Sequence, residues 1–467
     1  MGARPALVLL LLVAVSASAI MLAASHRWGL GVSYDSVVYV QASHSLTSIP
    51  LPQPRDQGSK ALYWWAPGYP LALRVFGGSY SGARYLNALL LLIGTVVVGG
   101  TAWKAIDARA GVLAAVLYAF SPAVFAAHLD LLAEPLFLVL GAAGIALIAA
   151  RRPVPAGLAA GAATLTRYAG VPLIIVGALV LRGRDRVRFL MTSLALYLGW
   201  LVRNELVAGQ LSGRQLRWHP PSREVLESGF LVFVHLLITP GRLPSIHVPL
   251  VNAGALAEVV AAAALGACVV RADRSNPPRL VSVGLTYVVV YCAFVIATVT
   301  LFDASTPLDE RLLVPVLPPL VVTIAWLGRG HVAAAVLVSM FALGVAQEAR
   351  TFSLDGLNYS GRTWSQARIS SASLPGGALY SNWPAAVAYF TGRSPRSLPA
   401  PVDPHTLAAN RQYRDEVHRV VLALRSGRAS LIEFENPEIP SSGPPFTEPG
   451  DCRPLTNVVS LCTGPKE

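Results

Sequence analysis

Apolar runs of about 20 residues alternate with short basic clusters along the first three-quarters of the chain, and the alternation stops near residue 348. The runs predict membrane spans near 6–25, 82–103, 111–127, 134–150, 154–167, 169–182, 188–207, 249–270, 280–301, 311–327 and 330–347, about eleven in all. Several are short for a full crossing, 154–167 above all. Residues 228–240 are apolar but too short to cross, and read as an interfacial or re-entrant helix on the outer face. A long mixed loop, 26–81, follows the first run, with short helices expected at 35–46 and 68–77. From 348 the chain is polar and rich in Pro and Gly. GGALYSNWPAAVAYFTGR predicts a strand, a turn and a helix start, HTLAANRQYRDEVHRVVLALRSG an amphipathic helix, and ASLIEFE a strand. The last thirty or so residues read as loop-rich. The expected fold is therefore all-α in the membrane over 1–347, with a small extracytoplasmic α/β domain over 348–467.

Composition agrees with this division. Only 13% of residues are charged, against about 25% in a soluble domain. The net charge of +12 raises nucleic-acid binding. Much of the excess, however, sits in short loops: Lys104 and Arg109, Arg151 and Arg152, Arg182 to Arg188, Arg271 to Arg279, and Arg329. All fall on one side of the expected spans, as the positive-inside bias requires. Nucleic acid is set aside on that ground, and membrane lipids become the expected partner. The same bias puts the N-terminus in the cytoplasm and the C-terminal domain outside. With no convincing cleavage site before Trp28, the first run reads as an uncleaved span rather than a signal peptide. Cys268 and Cys292 lie in apolar segments, while Cys452 and Cys462 lie in the polar tail, where an oxidising compartment would let them pair.

The outer loops hold the candidate chemistry. Asp35 follows the first span in GVSYDSVVYV. An acid at a membrane surface is often merely solvated, but other ionisable groups return to the same face. Asp130 and Glu134 lie in HLDLLAEPLFLVL, where Glu134 before Pro135 also suits a helix start. With His128 and Asp35 they offer oxygen and imidazole ligands for Mg²⁺ or Mn²⁺, although no spacing rule supports such a set. Arg167, Arg203, Arg311 and Arg84 lie near span ends. Each suits a phosphate by its bidentate fork, or snorkels at a helix end.

In order along the chain, these segments resemble the GT-C superfamily of polytopic glycosyltransferases, in particular the aminoarabinose and mannose transferases that use polyprenyl-phosphate sugars. The resemblance runs over residues 1–393. It rests on Asp35 with Tyr39 and Ala42 behind it, the Trp65–Pro70 stretch, ARYLNALL, AEPLFLVL, LTRYAG, RNELVAGQ, DERLLVPVLPPL and YSNWPAAVAYFTGR. It implies an inverting transfer of a sugar, arabinofuranose or mannose among the candidates, from a polyprenyl-phosphate donor to a glycan, glycolipid or protein acceptor. Asp35 would be the base or a metal and acceptor ligand, and Arg167, Arg203, Arg311 and Arg84 would meet the donor phosphate. Tyr39, Trp65 and Tyr69 would line the acceptor side. Ser36 stands where some members have a second acid, which leaves metal dependence open. A transporter of lipid-linked sugars is the alternative. It should show repeat symmetry between halves and acids buried mid-span, and neither is evident here.

Overall fold

In a computed structural model, the described residues are 2–51, 60–238, 247–248, 251–252, 277–303, 306–328, 332–402, 409–434 and 451–463. The expected span 249–270 lies almost wholly outside them, as do Cys268, Arg271, Arg274 and Arg329.

Among the described residues, four helices are long and apolar enough to cross a membrane: α1 (Ala3–Ala24), α4 (Tyr80–Ala105), Arg279–Leu301 and Glu310–Leu327. A fifth candidate is the bent pair α5 (Ala108–Ala119) and α6 (Pro122–Leu129), turned by 50°. The break has a local cause: Ser121 caps α6 and Pro122 opens it, with no N–H to carry the α5 hydrogen-bond ladder onward. Among the described residues, the expectation of about eleven spans is thus corrected to four or five on length and composition. Several of the other apolar runs give shorter helices, while the run at 330–347 lies mostly in the 24-residue helix Val332–Asp355. The helix α7 (Glu134–Ala149) has 16 residues and α8 (Pro153–Thr166) has 14. At 1.5 Å per residue they reach about 24 and 21 Å, short of a hydrocarbon core about 30 Å thick. The run at 169–182 divides into a 3₁₀ turn and the ten-residue α9 (Val171–Val180). The helix α10 (Gly183–Ala208) is 26 residues long, but its two ends are charged. Residues 228–238 form part of a single longer helix, α11 (Arg223–Ile238), and the rest of the expected 228–240 segment lies outside the described residues.

The first outer loop folds much as expected, into α2 (Tyr34–His44) and α3 (Gly68–Val75). Gly68 lies where α3 meets the end of α8. A Cβ there would sit 2.7 Å from both Leu165 O and Thr166 Oγ1. Gly68→Ala is therefore expected to destabilise the protein by about 1–3 kcal/mol. Thermal unfolding in lipid nanodiscs measures this, and an unshifted midpoint would contradict the contact.

The C-terminal part is a five-stranded mixed sheet, ordered β4-β3-β5-β7-β6. The strands are β3 (Ala378–Ser381), β4 (Arg396–Ser397), β5 (Ala429–Phe434), β6 (Asp451–Thr456) and β7 (Val459–Thr463), following the short pair β1 (His247–Val248) and β2 (Val251–Asn252). β3 runs parallel to β4 and β5, with helices Pro384–Thr391 and Tyr413–Arg425 in the connections. The hairpin β6–β7 corrects the reading of the tail as loop. Its residues Cys452 and Cys462 face each other across the strands and are joined by a disulfide. Closing so short a loop, a separation of 10 residues, stabilises the hairpin by about 2–3 kcal/mol on chain entropy. Cys452→Ser with Cys462→Ser is expected to make β6–β7 exchange amide hydrogens faster, and unchanged protection would contradict this.

This sheet is packed onto the membrane part. Val37, Val38 and Ala42 of α2 share a buried apolar cluster with Ala385, Val387, Ile432 and Phe434. Gln41 Nε2 donates to Ser394 Oγ at 3.2 Å, and the Tyr80 and Tyr389 rings meet edge-on at 5.0 Å. The C-terminal sheet thereby fixes the helix that carries Asp35.

Candidate active site

Asp35 is held by backbone pairing on both sides of residues 30–32. Gly31 N donates to Leu129 O at 2.8 Å and Gly31 O accepts from Leu131 N at 2.9 Å. On the other side, Tyr359 N donates to Val32 O at 2.9 Å. A Cβ at position 31 would lie 2.1 Å from Asp130 Oδ1 and 3.1 Å from Leu357 Cβ, so a larger residue there would require Asp130 to move. The chain then enters α2 through a Ser33–Ser36 capping box, which places Asp35 in the first turn, where the helix macrodipole favours an acid.

Two donors reach the Asp35 carboxylate. Trp65 Nε1 donates to Oδ1 at 3.1 Å, and Arg311 Nη2 donates to Oδ2 at 2.7 Å. Arg311 Nε also donates to Glu134 Oε1, and Arg167 Nη1 pairs with the same oxygen. Four charged groups from four separate segments thus form one chain: Asp35, Arg311, Glu134 and Arg167. Their exposure differs in a way that matters. The Glu134 side chain is 0% exposed and Arg167 17%, whereas Asp35 is 24% and Arg311 40% exposed. The Glu134–Arg167 end is the buried foundation, and the Asp35–Arg311 end is the accessible face.

Local structure explains each placement. Glu134 opens α7 ahead of Pro135. Arg167 follows α8 in extended conformation, and a 3₁₀ turn begins after it. Arg311 lies in a short helix that Asp309 caps by accepting from Leu312 N at 2.9 Å. Of the acids in DER, Asp309 is therefore engaged in building the helix that presents Arg311.

The aromatic candidates lie alongside. The Tyr39 and Tyr69 rings meet edge-on at 5.4 Å. Burial, with the charges of Asp35 and Glu134 adding to it, pushes the Tyr39 hydroxyl well above the usual phenol range, so it stays protonated at neutral pH. Tyr69 donates to Asn87 Oδ1 at 3.0 Å, and Asn87 Nδ2 donates to the carbonyls of His128 and Asp130 at 3.1 and 2.8 Å. Asn87 was not among the residues singled out from sequence. Its signal was an amide inside the apolar ARYLNALL run.

Arg203 and Arg84 are not part of this group. Arg203 donates to the carbonyls of Leu62 and Leu46 and lies over the Trp200 ring at 4.7 Å. It braces the segment leading to Trp65, together with Tyr168, whose hydroxyl donates to Tyr63 O at 2.9 Å. Arg84 donates to Ser25 Oγ at 2.9 Å and to Leu22 O, tying α4 to the end of α1.

The divalent-metal set of Asp35, His128, Asp130 and Glu134 is not assembled. Among the described residues no three His, Cys, Asp or Glu side chains gather to hold an ion. The guanidinium of Arg311 stands between Asp35 and Glu134, where a shared cation would need to be. His128 turns Nδ1 to its own helix, onto Val124 O at 2.7 Å. Asp130 Oδ1 is buried with no hydrogen-bond partner among the described residues, and burial pushes its carboxyl up to about 7. These donors do not fit a metal ion.

No protein-family model matches the chain, and no curated protein sequence does. Solved structures do. ArnT from Cupriavidus metallidurans in the apo state aligns over 100% of both chains, with a TM-score of 0.63 at 14% identity. ArnT from the same organism bound to undecaprenyl phosphate aligns over 100% of both chains, with a TM-score of 0.59 at 15% identity. An oligosaccharyltransferase from Archaeoglobus fulgidus, in complex with Zn and sulfate, aligns over 90% of this chain and 68% of its own, with a TM-score of 0.50 at 12% identity. The chain shares the fold of these solved structures. At these identities the likeness speaks for fold alone.

Proposed function

We propose that the protein is an inverting glycosyltransferase that moves a sugar from a polyprenyl-phosphate donor to a hydroxyl on an extracytoplasmic glycan, lipid or protein. The observation that carries this reading is the accessible pair Asp35–Arg311, a carboxylate base beside a phosphate-binding cation, on a fold shared with a protein seen bound to undecaprenyl phosphate.

In the proposed reaction the acceptor oxygen attacks the anomeric carbon as its proton passes to Asp35. The bond from that carbon to the phosphate oxygen breaks, and the polyprenyl phosphate leaves with the electron pair. A hydroxyl is a weak nucleophile until a carboxylate takes its proton. The leaving phosphate gains charge, which Arg311 stabilises most directly because it is the more exposed of the two site arginines. Arg167 supports it from behind through Glu134. Trp65 holds Asp35 through its indole N–H, and neutral Tyr39 lends a polar edge to the acceptor side. The site opens on the outer face, with the N-terminus in the cytoplasm, as the basic loops imply.

The test is a panel of radiolabelled polyprenyl-phosphate sugars, mannose and arabinofuranose first, given to the protein in nanodiscs. Label leaving the lipid for an acceptor or for water supports transfer. Label that stays on the lipid while crossing the bilayer would support the transporter reading instead.

A further inference from the structure

The charge balance of the site carries a consequence for the order of events, and it rests on the transfer reading above. Asp35, Glu134, Arg167 and Arg311 hold two acids and two guanidinium groups in direct contact, so their formal charges cancel. A neutral cluster exerts little net pull on a phosphodiester. Both Asp35 oxygens are also engaged: Oδ1 accepts from Trp65 and Oδ2 from Arg311. Each oxygen keeps a second lone pair, but Arg311 takes one of the two directions from which an acceptor hydroxyl could approach Oδ2. One movement resolves both difficulties. Glu134 is fully buried and shared by two guanidinium groups, so it stays. Asp35 is partly exposed and holds Arg311 through one nitrogen, so it is the partner that can be exchanged.

The geometry points to Arg311 changing partners, from the Asp35 carboxylate in the free protein to the donor phosphate in the complex, so that seating the donor frees Asp35 Oδ2 to act as the base. The resting pair then restrains the base until a phosphate displaces it. The acceptor hydroxyl is activated only when a donor is present, and the two substrates react in a fixed order. Trp65 keeps its bond to Oδ1 throughout and holds the freed carboxylate in place.

The distinguishing prediction is that removing the Asp35 charge improves phosphate binding. If the pair holds about nine-tenths of the free protein, its loss tightens apparent affinity about tenfold. The probe is farnesyl phosphate, a short prenyl monophosphate, titrated calorimetrically into nanodisc-embedded wild type, Asp35→Asn, Arg311→Gln and the double variant. Size-exclusion profiles check that each is folded. The expected result is about tenfold tighter binding by Asp35→Asn than by wild type, with no such gain when Arg311→Gln is already present. Equal or weaker binding by Asp35→Asn overturns the exchange while leaving the donor reading intact. A gain that persists without Arg311 overturns it too, because the effect would then be one of general charge. Binding by none of the four, wild type included, overturns the donor reading and the exchange with it.

Discussion

Replacing Asp35 by asparagine is expected to lower the rate of sugar transfer by about 10²–10⁴-fold, the range over which a positioned general base contributes. The substitution is nearly isosteric. The amide oxygen still accepts from Trp65 Nε1, and the capping box that starts α2 does not involve the Asp35 side chain. Folding should therefore survive and the loss should fall on chemistry. Transfer assays in nanodiscs, beside a thermal unfolding curve for each protein, separate the two. An Asp35→Asn protein that keeps more than about a tenth of wild-type turnover would remove Asp35 from the role of base. The same variant is expected to bind prenyl phosphate more tightly. A fall in turnover with a rise in affinity is hard to obtain from simple damage to the site.

Glu134→Gln should act on stability instead. Its carboxylate has no exposed surface and lies between the guanidinium groups of Arg167 and Arg311. Removing the charge leaves two cations close together, one of them largely buried. Breaking a buried ion pair from one side costs about 3–5 kcal/mol, mostly because the remaining partner stays buried and uncompensated. Unfolding in nanodiscs, followed by intrinsic tryptophan fluorescence, should move to clearly lower temperature. The pair can be identified by a double-mutant cycle: Arg167→Gln added to Glu134→Gln should restore part of the loss rather than add to it. Additive losses would show that the two residues do not act as a unit.

The sequence was informative where one local feature decides the structure. The α2 and α3 helices and the β3–β5 core of the C-terminal sheet follow from apolar spacing and turn residues, and lie close to where they were expected. Asp35 stood out because it follows the first span and other ionisable groups return to the same face. The site itself was less legible, since its bonds join distant residues. Arg311 meets Asp35 across 276 positions and Glu134 across 177. Four arginines were candidate phosphate ligands, yet two of them, Arg84 and Arg203, bond to backbone carbonyls that only the fold brings near. The metal set failed for a similar reason: the carboxylates meet, but through an arginine. The span count was too high because apolar composition predicts burial, and α7, α8 and α9 are short helices that meet that demand without the length to cross alone.

Transfer requires that a glycosyl–phosphate bond be broken here. Phosphorus NMR of nanodiscs loaded with one polyprenyl-phosphate sugar reads that bond directly. The phosphodiester resonance is expected to give way to a phosphomonoester in the presence of wild-type protein and acceptor, and to persist with Asp35→Asn. A phosphodiester that remains intact with wild type, across the donor panel and with bound donor demonstrated, would contradict it.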